Sequence, residues 1–450
     1  MSDTIIRTSK HSLLFSNKKK LDNLHNLITE YRRVATIYLN HFWDKGITLS
    51  MHKDAKTTYF NFDTNTHLDC PSMISTVELD KEIDLQSTLT ARVRKCCVTQ
   101  VLGIIRGTVE KQRKRQYIVN KKRAECRSIS RRLRKAVRKN KPTKPDISKI
   151  NPEINSLCLD YEENSNSSFN GWLNLHSYTN VERNQTILLP IKEHRHSKKL
   201  ALHGTRMNSF ILTDSMVDIR WEMTPLVNNS TQQVGADQGK KTVLALCDEN
   251  KRSINTPKKN KDKYSLNRIM KVLERRKKGS KRFKKAQAHR KNFIKWSINQ
   301  LDFGPFGTIK YESIVGLRYK NPTNREMSHW TYTDIRDKVA SRCELENVSM
   351  VYDSSTYYSQ RCHVCGLVLK SQRKKKVYSC KNCGWEGDAD YNSASNHQQN
   401  LPDVTGLRNL KLNVKGFYWR TTGAFTLGGE RLQVPLRGEE FTVPLSKKVV

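Results

Sequence analysis

The chain opens with a short alternating segment and a long amphipathic helix. Apolar and polar residues alternate weakly from Thr4 to Phe15, a pattern typical of a strand. Further along, apolar residues recur every three or four positions: Leu21, Leu24, Leu27, Ile28, Tyr31, Val34, Ile37 and Tyr38. This spacing predicts an amphipathic helix, with Arg32 and Arg33 outside its apolar stripe.

A helical pattern returns between Ser87 and Asn140, where basic residues greatly outnumber acidic ones. A solvated helix face is the ordinary explanation of such a charge run. Here, however, pairing with acids four residues away cannot offset the charge, because acids are scarce. Contact with nucleic-acid phosphates is the favoured interpretation. Pro142, Pro145 and Pro152 then end the helical pattern.

Residues 160–230 change to short apolar runs separated by turn residues, which predicts several antiparallel strands. The basic helices interrupt the chain between the first strand and this block. We expect the two β segments to form one discontinuous, β-barrel-like domain into which the helices are inserted.

In the second half of the chain, strands alternate with helices, which predicts an α/β sheet domain. One strand ends at Asp237 and another near Glu312, and a basic helical region divided by a Gly-Ser pair covers residues 264–301 between them. A further helix and a short strand follow, and the final helix starts near Asp390. Residues 401–450 carry no recognisable chemistry, and their pattern allows a hairpin or a disordered tail.

Four cysteines form two Cys-x-x-Cys pairs, Cys362 with Cys365 and Cys380 with Cys383. Four thiolates at this spacing are the ligands that a tetrahedral structural zinc ion needs. A glycine follows each pair, where it tolerates the positive φ of such turns. The sequence therefore predicts a zinc ribbon directly before Asp390.

Charge narrows the function further. The 450 residues include 82 basic and 43 acidic ones, a formal net charge of +39. Nucleic acid is the obvious polyanion to offset this self-repulsion, because the basic residues are spread along the chain. No apolar run is long enough to span a bilayer, and the first residues lack the apolar core of a signal peptide. The seven other cysteines do not show the spacing of a secreted disulfide scaffold, which fits a reducing interior. We expect a cytoplasmic, nucleoid-associated protein without a membrane partner.

Three carboxylates stand where strands or the ribbon meet turns: Asp237, Glu312 and Asp390. Carboxylates gathered at one sheet edge can hold two Mg²⁺ ions about 3.5–4 Å apart, an arrangement that serves phosphodiester hydrolysis. Each acid also has a simpler explanation: Asp237 as a turn residue, Glu312 as an exposed strand residue, Asp390 as a helix N-cap. Asp388 competes with Asp390 for a metal role. The joint pattern favours a nuclease.

Together these motifs resemble the RuvC-like nuclease of the TnpB family. The resembling segments run in the order GADQG, a basic region containing RRKKGSKRFKKA, IKYESIVGL, the two cysteine pairs and DADYNSASN. TnpB proteins are transposon-encoded, RNA-guided DNA endonucleases, and the small type V CRISPR effectors are similar to them. The resemblance is specific over residues 233–397 and looser over the N-terminal strand, helix and β segments.

The resemblance implies that Asp237, Glu312 and Asp390 are catalytic and bind two Mg²⁺ ions, and that the four cysteines hold one structural Zn²⁺. Asp390 fits the family's Asp-x-Asn-x-Ala-x-Asn motif, which leaves Asp388 outside the metal ligands. Departures from the family pattern lie at three positions that are not ligands: Ala236, Gln238 and Ser393.

The resemblance also implies a fold class, a multidomain α/β plus α+β protein. The domains implied are a β-barrel-like wedge (1–15 and 160–232), a helical recognition domain (16–159), an RNase H-like RuvC nuclease (233–357 and 386–400), a four-cysteine zinc ribbon (358–385) and a tail of unknown role (401–450).

A nuclease of this family would pair a guide RNA with one strand of a double-stranded DNA target, next to a short motif that the protein reads. The residues expected to contact nucleic acid are Arg32, Arg33, Lys111, Arg113, Arg115, Arg131, Arg132, Arg275, Arg276, Lys281 and Arg282. Aromatic residues of the first helix could stack on bases, but at helical spacing they are more often core: Tyr31, Tyr38, Phe42 and Trp43.

Several alternatives stay open at this point. A non-catalytic zinc-ribbon scaffold or repressor would explain the charge and the cysteines and would treat the acids as turn residues. A strand-joining transposase would share the sheet but does not predict a ribbon before the last acid. Transposon-encoded and CRISPR-associated forms, and monomer and homodimer, are equally compatible with the sequence.

Overall fold

The computed structural model describes residues 4–51, 57–64, 66–68, 76–125, 129–138, 142–163, 167–181, 185–239, 242–250, 253–255, 265–314, 329 and 332–434. The chain divides into two compact units, Met1–Thr224 and Pro225–Val450. Within the described ranges, no helix has both the length and the apolar character needed to cross a membrane.

Two long helices form the centre of the first unit. Helix α1 (Lys18–Asp44) matches the predicted amphipathic helix, and α3 (Ala91–Ala124) packs against it. Side chains of Asn17 and Thr90 cap the two N-termini. Two short helices, α2 (Thr76–Glu82) and α4 (Arg131–Val137), complete this part. The aromatic residues of α1 are all buried, which confirms the core explanation over base stacking: Tyr31, Tyr38, Phe42 and Trp43.

A four-stranded antiparallel sheet joins the beginning of the first unit to its end. Its strands, in spatial order, are β1 (Ile5–Ser12), β10 (Met216–Met223), β9 (Gly204–Leu212) and β5 (Glu153–Asn155). All eight residues of β1 pair with β10, so the first strand closes onto the last one. Strand β5 joins the same sheet although it precedes the segment predicted to be β-rich.

Six shorter strands form two further antiparallel sheets in the first unit. They are β2 (Ile47–Met51), β3 (Thr57–Asn61) and β4 (Thr66–Leu68), and β6 (Leu159–Glu163), β7 (Gly171–Leu175) and β8 (Ile187–Ile191). For residues 160–230 the sequence predicted antiparallel strands and no helix, but α5 (Arg195–His203) is helical. Its start is fixed by His194 and Ser197, whose side chains each bond the other's backbone N–H, a reciprocal cap.

The second unit contains the predicted α/β sheet. Its five strands, in spatial order, are β13 (Ser253–Asn255), β12 (Leu244–Cys247), β11 (Gln233–Gln238), β14 (Thr308–Ser313) and β15 (Ser349–Ser354). Strands β11, β14 and β15 are parallel to one another, whereas β12 is antiparallel to β11. The carboxyl ends of the three parallel strands therefore lie at one edge of the sheet.

In the described part of the second unit, four helices accompany this sheet: α6 (Leu266–Glu274), α7 (Lys281–Asn299), α8 (Tyr332–Leu345) and α9 (Ala389–Gln398). The predicted break between α6 and α7 is confirmed, because Gly279 has a φ of +86° and Ser280 caps α7. The predicted start of this helical region, residue 264, lies outside the described residues. Apolar side chains of α6, α7 and α8 form one core with the sheet.

The ribbon and the segment after α9 form two small sheets. Strands β17 (Arg373–Lys374), β18 (Val377–Ser379) and β19 (Glu386–Asp388) belong to the ribbon, and β16 (Leu367–Val368) pairs with β20 (Phe417–Arg420) of a hairpin completed by β21 (Gly423–Phe425). The tail thus forms the hairpin that the sequence allowed, as far as residue 434, and packs Phe417 and Trp419 against Tyr357 and Tyr358. Residues 435–450 lie outside the described residues.

Candidate active site

Asp237 lies near the carboxyl end of β11, and its side chain is buried, with 6% of the residue exposed. The turn explanation of this residue is wrong, because Asp237 pairs with Ala245 within the sheet. Helix α9 crosses directly over β11: a Cβ at Gly235 would lie 2.0 Å from the carbonyl oxygen of Ala394. Glycine two residues before Asp237 is therefore what allows this close approach.

Glu312 stands beside Asp237 on the adjacent parallel strand. Tyr311 of β14 pairs with Ala236 of β11. The next residues of the two strands, Glu312 and Asp237, therefore lie side by side. Glu312 is partly buried, which makes the exposed-strand explanation wrong. Burial, and next the Asp237 carboxylate, hold the pKa of Glu312 well above its ordinary value. Burial likewise raises the pKa of Asp237 to about 6.

Asp390 reaches the same place from the first turn of α9. It is 3% exposed. Gly239 lies in the loop after β11, and a Cβ added to it would be 3.5 Å from Asp390 Oδ2. The N-cap explanation is wrong, since Asp388 caps α9 by accepting from the backbone N–H of Asp390 (2.8 Å) and Tyr391 (3.1 Å). Asp388 Oδ1 is thus used to cap the helix, while the Asp388 carboxylate also raises the pKa of Asp237.

Two cations of the ribbon face Asp390, and sequence reasoning did not single them out. Arg373 Nη2 lies 3.4 Å from Asp390 Oδ1, and Lys376 forms an ion pair with Oδ2. Both side chains also lower the pKa of Asp237, although less than burial raises it. The basic hairpin between the cysteine pairs therefore contributes positive charge to the acid cluster.

Side chains of α9 fix Asp237 and the ribbon at once. Ser393, one turn after Asp390, donates from Oγ to Asp237 Oδ1 at 2.9 Å. Asn392 accepts from the backbone N–H of His363 (3.0 Å) and donates to Arg361 O (2.7 Å). A second buried amide on the same helix makes similar bonds: Asn396 donates to the carbonyl oxygens of Tyr358 (2.8 Å) and Arg361 (2.7 Å).

These contacts explain the spacing of the Asp-x-Asn-x-Ala-x-Asn motif. Asp390 lies at the acid cluster, while Asn392 and Asn396 hold the first cysteine turn. Both asparagines are visible in the sequence motif, but the motif alone does not indicate that they bind the ribbon backbone. The position of Asp390 therefore depends on the ribbon being folded.

The four cysteines form one cluster, with all four sulfur atoms within 4.8 Å of one another. Cys362 and Cys383 place their Sγ atoms 3.7 Å apart, and Cys365 and Cys380 place theirs 3.6 Å apart. Zinc–sulfur bonds of about 2.3 Å in a tetrahedron put the sulfurs about 3.8 Å apart, so the thiolates fit a zinc ion. Gly366 (φ +79°) and Gly384 (φ +71°) adopt the predicted positive φ.

The acid cluster has a different donor geometry. Among the described residues, the cysteines are the only group of three or more possible ligands within 4.8 Å of one another, so the carboxylate oxygens are spread more widely. Their chemistry fits Mg²⁺, which prefers carboxylate oxygens and retains several waters. Burial is the main cause of the raised pKa of both Asp237 and Glu312, and Arg373 offsets part of this increase at each carboxyl group.

The basic residues predicted to contact nucleic acid have varied surroundings. Arg32 is partly buried and donates to Ile150 O (2.9 Å), and Arg33 pairs with Glu30 (2.7 Å). Most of the others are exposed on helices or the loops between them: Lys111, Arg113, Arg115, Arg131, Arg275, Arg276, Lys281 and Arg282. Arg132 lies in α4, with its backbone alone described.

Comparison with known proteins adds three findings. Residues 332–397, from α8 through the ribbon to α9, match the family model of the Cas12f1-like TNB domain. A stretch of 91 residues is 33% identical to the CRISPR-associated endodeoxyribonuclease Cas12f1 of Sulfoacidibacillus thermotolerans, over 20% of this chain and 21% of that protein. A stretch of 125 residues is 27% identical to the protein of the same name from Syntrophomonas palmitatica, over 27% of this chain and 24% of that protein.

The fold is also similar to a solved structure, that of the mini-RNA-guided endonuclease CRISPR-Cas phi3. The similarity covers 88% of this chain and 93% of the other, with a TM-score of 0.53 and 8% sequence identity. The chain spans less than a quarter of the length of either curated relative. The resemblance to small type V effectors that the motifs predict is confirmed.

Proposed function

We propose that this chain is an RNA-guided DNA endonuclease of the TnpB and small type V kind, with Asp237, Glu312 and Asp390 as its catalytic acids. The observation that carries the proposal is the convergence of three carboxylates from β11, β14 and α9 at one edge of the α/β sheet. Burying like charges together is costly unless a ligand uses them, so such a cluster indicates a functional site.

Asp237, Glu312 and Asp390 would hold two Mg²⁺ ions. When bound, these ions supply an activated water and stabilise the leaving 3′ oxygen of a phosphodiester. The protein side chains position this chemistry: Ser393 orients the Asp237 carboxylate, and the asparagines of α9 place Asp390. Arg373 and Lys376 lie beside Asp390, where they can contact a phosphate of the strand. The products would carry 5′-phosphate and 3′-hydroxyl ends.

The zinc ion is proposed to be structural. Four thiolates leave no open position for a water or a substrate, which distinguishes this site from a catalytic zinc site. Its task is to keep the two cysteine turns in the geometry that Asn392 and Asn396 bind.

The exposed basic residues of α3, α4, α6 and α7 are proposed to bind the guide RNA and the DNA target through their phosphates. The proposed domains are a β-barrel-like wedge, a helical recognition domain, a RuvC-like nuclease and a zinc ribbon. Their boundaries are those expected from the sequence, except that β5 belongs to the sheet of the wedge and β19 to the ribbon. Action on DNA in the cytoplasm, in association with the nucleoid, follows from this assignment, and monomer and homodimer are both compatible with it.

The test is cleavage of a matched DNA target by the purified chain, loaded with the RNA that co-purifies with it and identified by sequencing. We expect Mg²⁺-dependent cutting that Asp237→Ala, Glu312→Ala and Asp390→Ala each abolish, with RNA binding unchanged. Glu386 is an exposed acid of the zinc ribbon, and Glu386→Ala serves as the matched control, which should cut normally. Full activity in all three variants would overturn the proposal.

The same experiment decides the alternative of a non-catalytic scaffold. A chain that binds RNA and DNA but never cuts matched DNA in Mg²⁺, with correct zinc content, would favour the scaffold. A repeat-derived guide in the co-purified RNA would identify a CRISPR-associated form, and a guide from a transposon end would identify the transposon-encoded form.

A further inference from the structure

A cavity of about 420 Å³ opens at the carboxyl ends of β14 and β15. Ser313, the residue after Glu312, lines it, and so does Asp353, which pairs with Glu312 across the two strands. The opposite wall comes from the segment after α9, whose 3₁₀ helix runs over Thr405–Leu410. The cavity is thus one strand away from the acid cluster, and none of the three proposed catalytic acids lines it.

Hydrogen-bond acceptors with spare capacity line this cavity. Asp403 Oδ1 accepts from the backbone N–H of Thr405 (2.8 Å), while Oδ2 accepts no hydrogen bond from the described residues. Asp353 Oδ2 is buried, 3.7 Å from Nδ1 of the fully buried His397, whereas the side chain as a whole is 21% exposed and Oδ1 accepts no hydrogen bond from the described residues. Burial lowers the pKa of His397, so its ring is not a permanent counter-charge for Asp353.

The remaining lining is aromatic, cationic and hydroxylic. Tyr352 borders the cavity and is 50% exposed, but its ring lies beside Tyr311, on the opposite face of β15 from Asp353. The exposed Arg408 guanidinium makes no hydrogen bond or ion pair with any residue that the structure describes. Hydroxyls of Ser354 and Thr405 bond each other (3.1 Å) and complete a polar wall.

This combination fits a nucleotide. Two carboxylates repel a phosphate but accept from the N–H groups of a base, and an unpaired guanidinium binds the phosphate instead. Guanine presents two adjacent N–H donors, on N1 and N2, whereas the other bases place a carbonyl or a ring nitrogen beside their donor. The volume lies in the range of small-molecule sites.

We propose that this cavity binds one guanine nucleotide of the DNA strand being cut, next to the cleaved bond. Its location on the strand being cut rests on the proposed function, whereas the binding of guanine does not. Asp353 and Asp403 accept from the base, and Arg408 contacts its phosphate.

The probes are the four deoxynucleoside monophosphates, titrated onto the RNA-free full chain in EDTA and followed by saturation-transfer NMR. Deoxyguanosine monophosphate should bind about tenfold more tightly than the other three, as expected for a paired carboxylate–base contact. Because no metal is present and nothing is cut, this result is independent of nuclease activity.

Two variants test the contact to the base and the contact to the phosphate separately. Asp403→Asn keeps the oxygen that accepts from the Thr405 backbone N–H but replaces Oδ2, the proposed acceptor for the base, with an NH₂ group. The preference for guanine should therefore disappear. Arg408→Ala should weaken the binding of all four nucleotides by the same factor. Lys411→Ala, an exposed cation just after the 3₁₀ helix and outside the cavity lining, should change nothing. Equal affinity for the four nucleotides, or a preference that survives Asp403→Asn, would overturn the proposal.

Discussion

The thiolate cluster and the carboxylate cluster of the second unit are built in opposite ways. The outer two cysteines are only 21 positions apart, and their sulfurs lie at the spacing of a tetrahedral site. The carboxylates come from three separate elements, and the Ser393–Asp237 bond that ties two of these elements spans 156 positions. One site is made by local turns and the other by the whole α/β domain.

The comparison shows how the two sites depend on each other. Helix α9 carries Asp390 toward the acids, while Asn392 and Asn396 bind the backbone beside the first cysteine turn. Loss of the thiolate cluster should therefore damage the carboxylate cluster, but loss of a carboxylate should leave the ribbon intact. Four changes test this one-way dependence, from the largest expected effect to the smallest.

Cys380→Ser removes one zinc ligand and should abolish both sites. Small zinc ribbons owe their folding to the metal, so α9 would lose its support. We expect zinc content, measured by mass spectrometry, to fall below one ion per chain, and cleavage to drop at least about a hundredfold. Ser379→Ala, at the exposed neighbouring position, should keep both properties. Normal cleavage without zinc would show that the ribbon is dispensable.

Glu312→Gln should abolish cleavage by removing a metal ligand, with zinc content unchanged. It should also raise the melting temperature of the chain in EDTA at pH 8. The pKa of Glu312 is raised in the folded state, so its ionised form destabilises the fold above that pKa, and stability returns as pH falls. The stabilisation should shrink as pH falls through the raised pKa, because the folded chain then takes up the proton on Glu312. A variant that melts lower at pH 8 would contradict this account.

Asn396→Ala tests the connection between the two sites. It removes two bonds to the ribbon backbone and leaves the Arg361 guanidinium without its contact to the amide oxygen. We expect zinc to remain bound while cleavage falls about 10- to 100-fold, the usual cost of losing a residue that positions a metal ligand. Gln398→Ala, two positions further along α9, is the control. Unchanged cleavage in Asn396→Ala would mean that the helix is held by the sheet alone.

Ser393→Ala should have the smallest effect. The Ser393 hydroxyl lowers the pKa of Asp237, which burial raises to about 6. Cleavage should increase as pH rises through this value, since metal binding requires the ionised carboxylate. Removing the hydroxyl should move this rise to higher pH and reduce the rate less than about tenfold at pH 8. A pH–rate profile that coincides with that of the unmodified chain would exclude this role.

Much of the second unit could be predicted from the sequence because its signals are local. The cysteine pairs, the glycines after them and the break at Gly279 each depend on a few neighbouring residues. The long helices of the first unit were equally clear, since α1 keeps one apolar stripe over seven turns. Helix α5 was missed because its reciprocal cap uses His194, which is an uncommon N-cap residue.

Contacts made across the fold could not be predicted from the sequence. Nothing local indicates that Asp388, rather than Asp390, caps α9, because both acids lie where the helix begins. The ion pair of Lys376 with Asp390 requires the ribbon hairpin to fold back over β19. The packing of Trp419 against Tyr358 likewise joins a tail without a recognisable motif to the start of the ribbon.

The central claim is that Asp237, Glu312 and Asp390 share one divalent-cation site. Crystals of the chain grown with Mn²⁺ test it directly through anomalous scattering at the manganese edge. The account predicts two manganese peaks about 3.5–4 Å apart, bounded by all three carboxylates. Peaks elsewhere, or none beside these residues while zinc occupies the thiolates, would contradict it.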